Sequence, residues 1–293
     1  MPGQKVVVGL SGGVDSAVCA LILKKQGYEV IGAFMKNFSD TKDPLTGECN
    51  WVEEKKMAQK IAVHLKIPFI VLDFEKEYKK YVINPMIKSY QLGLTPNPDI
   101  SCNTIIKFPL LWKKAKKLGA DFIATGHYAR IKKKNEFYGL YTGKDKNHDQ
   151  SYFLYELSQN DLSHTLFPLG NYTKEQIRKI AKNNHFPNWN KKGTRGICFV
   201  GKIDFNEFIR KKTKNKNGKV LNPEGKIIGT HQSLSSLTIG QRLGPKVGVN
   251  ITDKTLSGQK IYLISKDTKK NTLIAAQKGH KAHEKDIFQI KND

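Results

Sequence analysis

The segment near the amino end of the chain restricts the fold more than any other. A run of mainly β-branched residues, Lys5–Leu10, leads directly into Ser11–Ser16 (SGGVDS), and apolar residues at helical spacing follow. A short run of this kind is typical of a buried parallel strand. Two glycines let backbone N–H groups approach an anion, and the start of a helix adds positive potential there. The sequence therefore predicts a strand, an anion-binding loop and a helix in direct succession.

The same alternation of strands and helices continues along the chain. Strands are predicted at residues 28–35, 68–73 and 121–125, and helices at 17–26, 53–65, 110–118 and 173–183, the last capped by Thr173. The run 153–157 could extend the sheet. Strands that alternate with helices favour an α/β fold with a doubly wound parallel sheet.

Beyond about residue 201 the pattern changes to short alternating segments with frequent glycine. These segments, at 226–229, 237–240, 259–265 and 272–276, predict a small β-rich domain. The basic run 211–219 is expected to be a linker or an exposed loop. We therefore expect a first domain over residues 1–200, a β-rich domain over 201–277 and a polar tail over 278–293.

The charge balance of the chain is strongly positive. The 293 residues include 50 Lys and Arg against 26 Asp and Glu, a formal net charge of +24 at pH 7. This charge favours a polyanionic partner such as nucleic acid, although a lysine-rich proteome would produce the same composition. The sequence has no run of about 18 apolar residues, and the first strand leaves no room for a leader peptide. We expect a soluble, cytoplasmic protein that does not associate with membranes.

The four cysteines are scattered, at Cys19, Cys49, Cys102 and Cys198. None forms a CxxC pair, so neither a zinc ribbon nor another metal site is expected. Cys19 lies on the apolar face of the first predicted helix and Cys49 in a loop, and both are expected to be non-catalytic. Glycines near Cys198 would permit movement and close approach, although its apolar neighbours could equally bury the thiol inertly.

The segment 95–103 (TPNPDISCN) places a carboxyl group close to a thiol. Prolines at alternate positions stiffen the backbone, so we expect a rigid loop that holds Asp99 and Cys102. Asp99 could act as a general base or accept a hydrogen bond from a nucleic-acid base. The alternative is a Pro-Asp turn beside a buried cysteine.

The loop Ser11–Ser16 differs from the common GxxxxGK[ST] phosphate loop, because it lacks the lysine and has a different spacing. It resembles the PP-loop of the ATP pyrophosphatases, which cleave ATP between the α- and β-phosphates and adenylate a substrate. Asp15 could orient the loop amides or hold Mg²⁺ through water. The alternative is an ordinary glycine turn that caps a helix.

Eight motifs follow one another along the chain. They are GLSGGVDS (9–16), FMKN (34–37), TPNPDISCN (95–103), ATGHYAR (124–130), DQSYFL (149–154), FPLG (167–170), GICFVG (196–201) and TIGQR (238–242). In this order they resemble the motifs of the bacterial-type tRNA-specific 2-thiouridylases, a family of the PP-loop superfamily. The resemblance implies an ATP-dependent tRNA sulfurtransferase that adenylates C2 of the wobble uridine in tRNAs for lysine, glutamate and glutamine. ATP with Mg²⁺ would be used, without a tightly bound cofactor, and a cysteine persulfide would supply the sulfur.

The resemblance also implies roles for individual residues. The residues that would bind ATP are Gly9, Leu10, Ser11, Gly12, Gly13, Val14, Asp15 and Ser16, with Met35 and Gly126 beside the adenine and ribose. The residues that would contact tRNA are Asn97, Pro98 and Asp99 at the target uridine, and His127, His148, Asp149 and Gln150 elsewhere. Cys198 would carry the persulfide. Cys102 would either attack that persulfide or close a disulfide with Cys198.

The sequence departs from the family pattern at three places. His148 replaces the usual lysine of a KDQ motif, and residues 193–196 (GTRG) replace the usual DSTG. Relatives commonly continue into a C-terminal β-barrel, which we expect to be missing or reduced in this chain. The resemblance further implies a monomer that receives sulfur from a cysteine desulfurase or a sulfur-relay protein. The alternatives are another PP-loop enzyme, tRNA-modifying or amide-forming, and a non-catalytic RNA-binding relative.

Overall fold

The computed structural model describes residues 3–39, 49–191, 205–213 and 216–283. The chain divides into unit 1, which comprises Met1–Ile83 and Asn97–Ile203, and unit 2, which comprises Asn84–Pro96 and Asp204–Asp293. The strands of the described residues are β1 (Lys5–Gly9), β2 (Glu29–Lys36), β3 (Phe69–Asp73), β4 (Phe122–Ala124), β5 (Ala129–Lys134), β6 (Phe137–Thr142), β7 (Thr165–Leu166), β8 (Gly218–Leu221), β9 (Ile227–His231), β10 (Val249–Ile251), β11 (Ile261–Asp267) and β12 (Thr272–Gln277).

The helices are of three kinds. The α-helices are α1 (Val14–Lys25), α2 (Asn50–Leu65), α3 (Glu75–Tyr78), α4 (Asn84–Gln91), α5 (Pro98–Ser101), α6 (Pro109–Lys117), α7 (Gln159–Ser163), α8 (Lys174–Asn183) and α9 (Phe205–Lys212). Two segments are π-helical, Lys79–Ile83 and Cys102–Lys107. Short 3₁₀ turns lie at Ser151–Phe153, Pro168–Asn171, Pro245–Val247, Lys254–Leu256 and Lys281–His283.

Unit 1 is built on a five-stranded sheet in the order β3-β2-β1-β4-β7. Every neighbouring pair of these strands is parallel. The central strand β1 is fully buried at Val6, Val7 and Val8, as its β-branched sequence predicts. The predicted parallel α/β fold is therefore confirmed. The predicted strands and helices that agree with it begin and end within three residues of the observed bounds.

Two predictions for unit 1 are wrong. The run 153–157 adds no strand, because Ser151–Phe153 forms a 3₁₀ turn and the fifth strand is the two-residue β7. Residues 95–103 are not a loop throughout, because α5 begins at Pro98 and continues into the π-helix. The side chain of Asn97 accepts a hydrogen bond from the backbone N–H of Asp99 at 3.1 Å. An Asn cap followed by Pro at the first helical position is a signal that starts a helix.

A second, two-stranded sheet of unit 1 has no counterpart in the sequence prediction. Strands β5 and β6 pair antiparallel, from Ala129 opposite Thr142 to Lys134 opposite Phe137. The lysine run of β5 lacks the alternation of apolar and polar residues that indicates a half-buried strand.

Unit 2 contains a five-stranded sheet in the order β10-β9-β8-β12-β11. Strands β8 and β12 are parallel, and the other neighbouring pairs are antiparallel. Apolar residues of these strands, including Val220, Leu263 and Leu273, form its core. The predicted small β-rich domain is confirmed.

Two local predictions for unit 2 need correction. Residues 237–240 form no strand, because Leu237 is buried in the core while Gly240 adopts a left-handed turn with φ of 82°. The basic run 211–219 is only partly a linker, since α9 extends to Lys212 and β8 begins at Gly218. Among the described residues, no helix has both the length and the apolar character needed to cross a membrane.

Candidate active site

The candidate site lies where the central strands of unit 1 end. The carboxyl ends of β1, β2 and β4 share one edge of the sheet because these strands are parallel. In the sheet, β2 lies on one side of β1 and β4 lies on the other, so the strand order changes direction at β1. Ligands of open α/β sheets bind at such a switch in strand order. The loop Ser11–Ser16 begins two residues after the last residue of β1 and therefore lies at this point.

The conformation of the loop is set by its glycines and serines. Gly12 has φ of 74°, a left-handed conformation that favours glycine. The hydroxyl of Ser16 donates to the carbonyl of Gly13 at 3.1 Å and accepts the N–H of Ser11 at 3.2 Å. Gly13 caps the 12-residue helix α1 without a side-chain hydrogen bond. The amides of the first turn of α1 therefore face an anion-binding position at the positive end of the helix.

Two further glycines allow close packing around the loop. A Cβ atom at Gly126 would lie 2.9 Å from the backbone nitrogen of Ser16, so this residue fits directly against the first turn of α1. A Cβ atom at Gly9 would lie 3.3 Å from the terminal methyl of Met35, which is buried. The structure thus brings Gly9, Met35 and Gly126 together with the loop, as the resemblance implies for a nucleotide site.

Asp15 is held by two side chains from distant parts of the sequence. The amine of Lys174 contacts both carboxylate oxygens at 2.6 Å, and the hydroxyl of Tyr128 donates to one of them at 2.9 Å. The Lys174 and Asp15 side chains are 18% and 31% exposed, so the pair is partly shielded from water. Burial and the nearby Asp15 charge raise the pKa of Tyr128, which keeps its hydroxyl protonated as a donor.

The start of α8 fixes Lys174 in this position. Thr173 and Gln176 form a capping box, so the predicted Thr173 cap is confirmed. The backbone N–H of Lys174 donates to Asp145 at 2.9 Å. This bond, together with His148 and Asn147, lowers the pKa of Asp145. The first residue of α8 is thereby held at both its backbone and its side chain.

A second lysine contacts the loop from the same part of the chain. Lys191 forms an ion pair with Glu54 at 2.6 Å, and its amine lies 3.4 Å from the carbonyl oxygen of Gly12. The side-chain amide of Asn188 donates to the same carbonyl at 3.0 Å. A Cβ at Gly12 would lie 2.6 Å from the backbone oxygen of Glu54. Gly12 is therefore fixed on one side by α2 and on the other by the segment after α8.

Asp99 and Cys102 lie on consecutive turns of helical backbone. Asp99 is in α5, and Cys102 begins the π-helix and is fully buried. Asn103 is also buried and donates to the carbonyl of Phe153 at 3.0 Å. Single π-helical turns occur frequently at functional sites. The helical arrangement, rather than a proline-stiffened loop, determines the spacing between the carboxyl group and the thiol.

His127 lies inside unit 1. Its Nδ1 is 2.7 Å from the Thr125 hydroxyl, and its Nε2 is 3.5 Å from the amine of Lys107. Because a lysine amine only donates, Nε2 accepts, and Nδ1 carries the proton that is donated to Thr125. Burial, and secondly Lys107, hold the pKa of His127 well below its usual range. The ring is therefore neutral, and its predicted contact with tRNA stays a prediction.

The other predicted tRNA contacts lie after β6. His148 is exposed and its Nδ1 is 3.0 Å from Asp145. Asp149 accepts hydrogen bonds from the N–H of Gly143 at 2.8 Å and the hydroxyl of Ser151 at 2.7 Å. Gln150 exchanges hydrogen bonds with the backbone of Tyr128. Asp149 and Gln150 thus fix the local backbone, and His148 has the most accessible side chain of the three.

The remaining cysteines differ in their surroundings. Cys19 is fully buried in α1, and burial raises the pKa of its thiol. The Cys49 thiol donates to the carbonyl of Ser39 at 3.1 Å. Cys198 lies outside the described residues. Within the described part of the chain, no cluster of three or more His, Cys, Asp or Glu side chains is arranged to hold a metal ion.

Three residues of the site, Lys174, Lys191 and Tyr128, were not predicted from the sequence. Lys174 follows a Thr that starts a capping box, a signal that placed the helix but gave no role to its first residue. Tyr128 is part of the ATGHYAR motif, yet roles were predicted only for Gly126 and His127 of that motif. Lys174 and Tyr128 each contact Asp15 although more than 100 residues of sequence separate them from it. The periodicity of apolar residues in a sequence does not indicate contacts over such a separation.

Comparison with known proteins assigns the family. Residues 4–202 match a family model described as the tRNA methyl transferase HUP domain, and residues 206–277 match one described as the tRNA methyl transferase PRC-barrel domain. A protein of Geobacillus kaustophilus named tRNA-specific 2-thiouridylase MnmA 1 is 44% identical over 283 residues, 96% of this chain and 75% of that protein.

Two further relatives carry the same name without the numeral. The proteins of Nitrosococcus oceani and Methylobacillus flagellatus are 46% and 43% identical, over 96% and 94% of this chain and 75% of each relative. The residues matched by the two family models lie in both units, and they include the loop and the Asp99–Cys102 segment. The chain therefore belongs to the tRNA-specific 2-thiouridylase family.

Proposed function

We propose that the chain is an ATP-dependent tRNA sulfurtransferase that converts the wobble uridine of tRNAs for lysine, glutamate and glutamine to 2-thiouridine. The arrangement of Asp15 between Lys174 and Tyr128, at the anion-binding start of α1, is the observation that carries the ATP half of this proposal. Family membership supports tRNA as the acceptor. The net charge of +24 is suited to a polyanionic substrate.

In the first step, the amides of Gly13 and the first turn of α1 bind the phosphates of ATP. The C2 carbonyl oxygen of uridine attacks the α-phosphorus, which forms an O-adenylated uridine and releases pyrophosphate. Charge stabilisation of the departing pyrophosphate is the main task of such a loop. The carboxylate of Asp15 fits a Mg²⁺ ion that accompanies ATP, because hard oxygen ligands suit this ion. The amine of Lys174, which contacts Asp15 in this structure, is proposed to donate to phosphate oxygens when ATP is bound.

In the second step, sulfur replaces the adenylated oxygen. The terminal sulfur of a Cys198 persulfide, acting as a thiolate, attacks C2, and AMP leaves with the oxygen. The Cys102 thiolate attacks Sγ of Cys198, the S–S bond breaks, and 2-thiouridine is released with a Cys102–Cys198 disulfide. If Cys102 attacks first, hydrosulfide is freed and becomes the nucleophile. In both orders, the two thiols supply the electrons that reduce the persulfide sulfur.

The acceptor base is proposed to bind beside Asn97, Pro98 and Asp99, with Asp99 as the general base or hydrogen-bond acceptor. His127 and residues 148–150 are proposed to contact tRNA around it. We propose a cysteine desulfurase or a relay protein as the sulfur donor, in the cytoplasm, where thiols are kept reduced. The enzyme is proposed to act as a monomer.

The descriptions of the matching family models name methyl transfer rather than thiolation. We favour thiolation, because relatives that match through both units are named 2-thiouridylases. Mass spectrometry of tRNA after incubation with the protein, ATP, a persulfide donor (a cysteine desulfurase with cysteine) and a methyl donor distinguishes the two reactions. Thiolation replaces an oxygen with a sulfur at the wobble uridine and requires ATP. A methyl group added without ATP would overturn the proposal.

Substitution of Asp15 tests the ATP half of the reaction. Asp15→Ala removes the carboxylate that orients Lys174 and fits Mg²⁺, so we expect ATP-dependent release of pyrophosphate to fall to background. Circular dichroism should show an unchanged fold. Wild-type pyrophosphate release by this variant would contradict the assigned role of the loop.

Substitution of the cysteines tests the sulfur half separately. With a persulfide donor as the sulfur source, we expect Cys102→Ser and Cys198→Ser to adenylate tRNA at near wild-type rates but to form no 2-thiouridine. Cys49→Ser is the matched control and should thiolate normally, because its thiol contacts only a backbone carbonyl among the described residues. Full thiolation by either of the first two variants would show that the thiols are not required.

A further inference from the structure

The hairpin β5–β6 presents a basic and aromatic surface that the catalytic proposal leaves without a role. The register pairs Arg130 with Tyr141, Lys132 with Gly139 and Lys134 with Phe137. Residues directly opposite one another in an antiparallel pair point to the same face, and alternate residues share it. Arg130, Lys132, Lys134, Phe137 and Tyr141 therefore lie on one side of the hairpin, which we call the basic-aromatic face.

The two rings of this face are accessible to solvent. Phe137 is 69% exposed and Tyr141 is 42% exposed. A Cβ atom at Gly139 would lie 2.8 Å from a ring carbon of Tyr141, so the missing side chain lets this ring lie across the strand. The amine of Lys132 is 5.1 Å from the centroid of the same ring. An exposed ring with a lysine beside it can stack on a nucleobase while the lysine contacts a phosphate.

Among the residues that the structure describes, no acidic side chain forms a salt bridge with the lysines of this face, Lys132 and Lys134. Glu136 in the turn is the only acidic residue of segment 129–142. The opposite side of the hairpin differs, because Ile131, Tyr138 and Leu140 are partly buried there. Cations that keep their hydration and carry no acidic partner suit contacts with phosphate.

The hairpin is fixed in place at its edge and at its base. The side chain of Gln159, in α7, accepts the N–H of Tyr138 at 2.8 Å and donates to its carbonyl at 3.0 Å. The guanidinium of Arg130 donates to the carbonyl of Thr142 at 2.8 Å. β5 begins one residue after Tyr128, whose hydroxyl binds Asp15. The basic-aromatic face is thus a preorganised surface whose first strand directly follows Tyr128 of the candidate active site.

We propose that the basic-aromatic face binds the substrate tRNA, with Lys132 and Lys134 on phosphates and with Tyr141 and Phe137 stacked on an unpaired base. This inference rests on the proposed function, because it takes tRNA as the substrate. It adds a binding surface to the predicted contacts at residues 97–99, 127 and 148–150. Sequence-specific recognition of RNA usually uses unpaired bases stacked on aromatic side chains, which an anticodon loop can supply.

Binding of tRNA by single variants tests the charge contribution. Lys132→Ala and Lys134→Ala should each weaken the affinity by about five- to tenfold at about 0.1 M salt and lower the slope of log K against log salt by about one. Lys133→Ala is the matched control, because it removes the same charge from the other side of β5 and should change affinity less than twofold. Equal effects at all three positions would overturn the proposal.

Substitution of the rings tests stacking separately. Tyr141→Ala and Phe137→Ala should each weaken tRNA binding about fivefold or more with an unchanged salt slope, whereas Tyr141→Phe should bind as wild type. If removal of the rings leaves the affinity for tRNA unchanged, stacking is excluded and the proposal is overturned. The proposal is also overturned if these variants bind tRNA normally and lose thiolation only when a protein supplies the sulfur. In that case the basic-aromatic face would bind the sulfur-donor protein.

The outcomes for the inference and for the proposed function can be told apart. If the wild-type protein binds and thiolates tRNA but the hairpin variants bind equally well, the inference alone fails. If the wild-type protein does not bind tRNA, both fail. Binding of ATP in the absence of tRNA and thermal unfolding of each variant should match the wild type, which would show that the substitutions leave the ATP site and the fold intact.

Discussion

The contact between Asp15 and Lys174 reconciles two opposing requirements of the phosphate loop. A carboxylate close to the start of α1 is suited to a Mg²⁺ ion but repels the phosphates of ATP. The amine of Lys174, at 2.6 Å from both oxygens, neutralises that charge. Because the pair is partly shielded from water, its electrostatic effect is stronger than that of a surface ion pair. The lysine that the common phosphate loop carries within its motif is thus supplied here from α8.

Removal of this amine should reduce ATP chemistry strongly. We expect Lys174→Ala to lower the rate of pyrophosphate release about 10²- to 10³-fold, the usual effect of removing one charge-stabilising donor. Lys174→Arg should recover part of the rate because it keeps the charge. Lys179→Ala, on an exposed position of the same helix, is the control and should be unchanged. A Lys174→Ala rate within threefold of wild type would leave this lysine without a role.

The hydroxyl of Tyr128 is a positioning group for Asp15. Tyr128→Phe keeps the ring and removes the 2.9 Å hydrogen bond, so we expect the KM for ATP to rise about tenfold while kcat changes less. The readout is the split between KM and kcat in pyrophosphate release. A variant with wild-type KM would indicate that Lys174 alone orients the carboxylate.

At the scale of elements, the sequence predicted those that begin with a recognisable cap or follow a clear period. α8 was placed by the Thr173 cap, and β1 by its β-branched run. The π-helix Cys102–Lys107 was not foreseeable, because no side-chain period distinguishes it from an α-helix over six residues. β7 has only two residues and is too short to show a sequence pattern that would predict a strand. The pair Asp15 and Lys174 depends on tertiary contact between elements, and for that reason the loop was predicted but its lysine was not.

Strand β11 carries a residue that opposes the stability of unit 2. The amine of Lys266 is buried and has no hydrogen-bond partner among the described residues, and burial lowers its pKa to about 8. The unfolded chain, with a pKa of 10.5 for this amine, binds the proton more tightly than the folded chain. The folded state therefore loses stability as the pH falls from about 10.5 to about 8.

Replacement of this lysine by an apolar residue of similar length should stabilise unit 2. We expect Lys266→Met to raise the free energy of unfolding at pH 7 by about 1–2 kcal/mol, reduced from the full shift because the group is only partly buried. Calorimetry across pH 7–10 should show the difference from wild type shrink above about pH 8. The control Lys270→Met, at an exposed turn, should change the free energy of unfolding little. A Lys266→Met variant that is less stable than wild type would contradict the prediction and indicate that the amine has a stabilising partner.

At the scale of the whole molecule, the two units can be observed separately. All three tryptophans of the chain, Trp51, Trp112 and Trp189, belong to unit 1. Tryptophan fluorescence therefore reports the unfolding of this unit alone. Each unit also contains a histidine whose pKa is lowered, chiefly by burial: His127 in unit 1 and His231 in unit 2.

The histidines predict how stability changes with pH. The unfolded chain binds protons at these positions below about pH 6.5, and the folded chain does so only at lower pH, so stability is complete above pH 6.5 and is lost as the pH falls below it. Urea unfolding followed by tryptophan fluorescence at pH 7.5 and 5.5 should show this loss for unit 1. His127→Asn should show a smaller loss than wild type, whereas the exposed His185→Asn should keep it. Equal pH dependence in both variants would rule out His127 as the source.

The contact between Asp15 and Lys174 also has a consequence for the order of events during synthesis of the chain. Its two partners are 159 positions apart, so the loop leaves the ribosome long before the residue that neutralises its carboxylate. A nascent chain that stops short of α8 would repel the phosphates of ATP. Nucleotide binding should therefore begin only once nearly all of unit 1 has been made, and ATP would then add its binding energy to the newly closed unit.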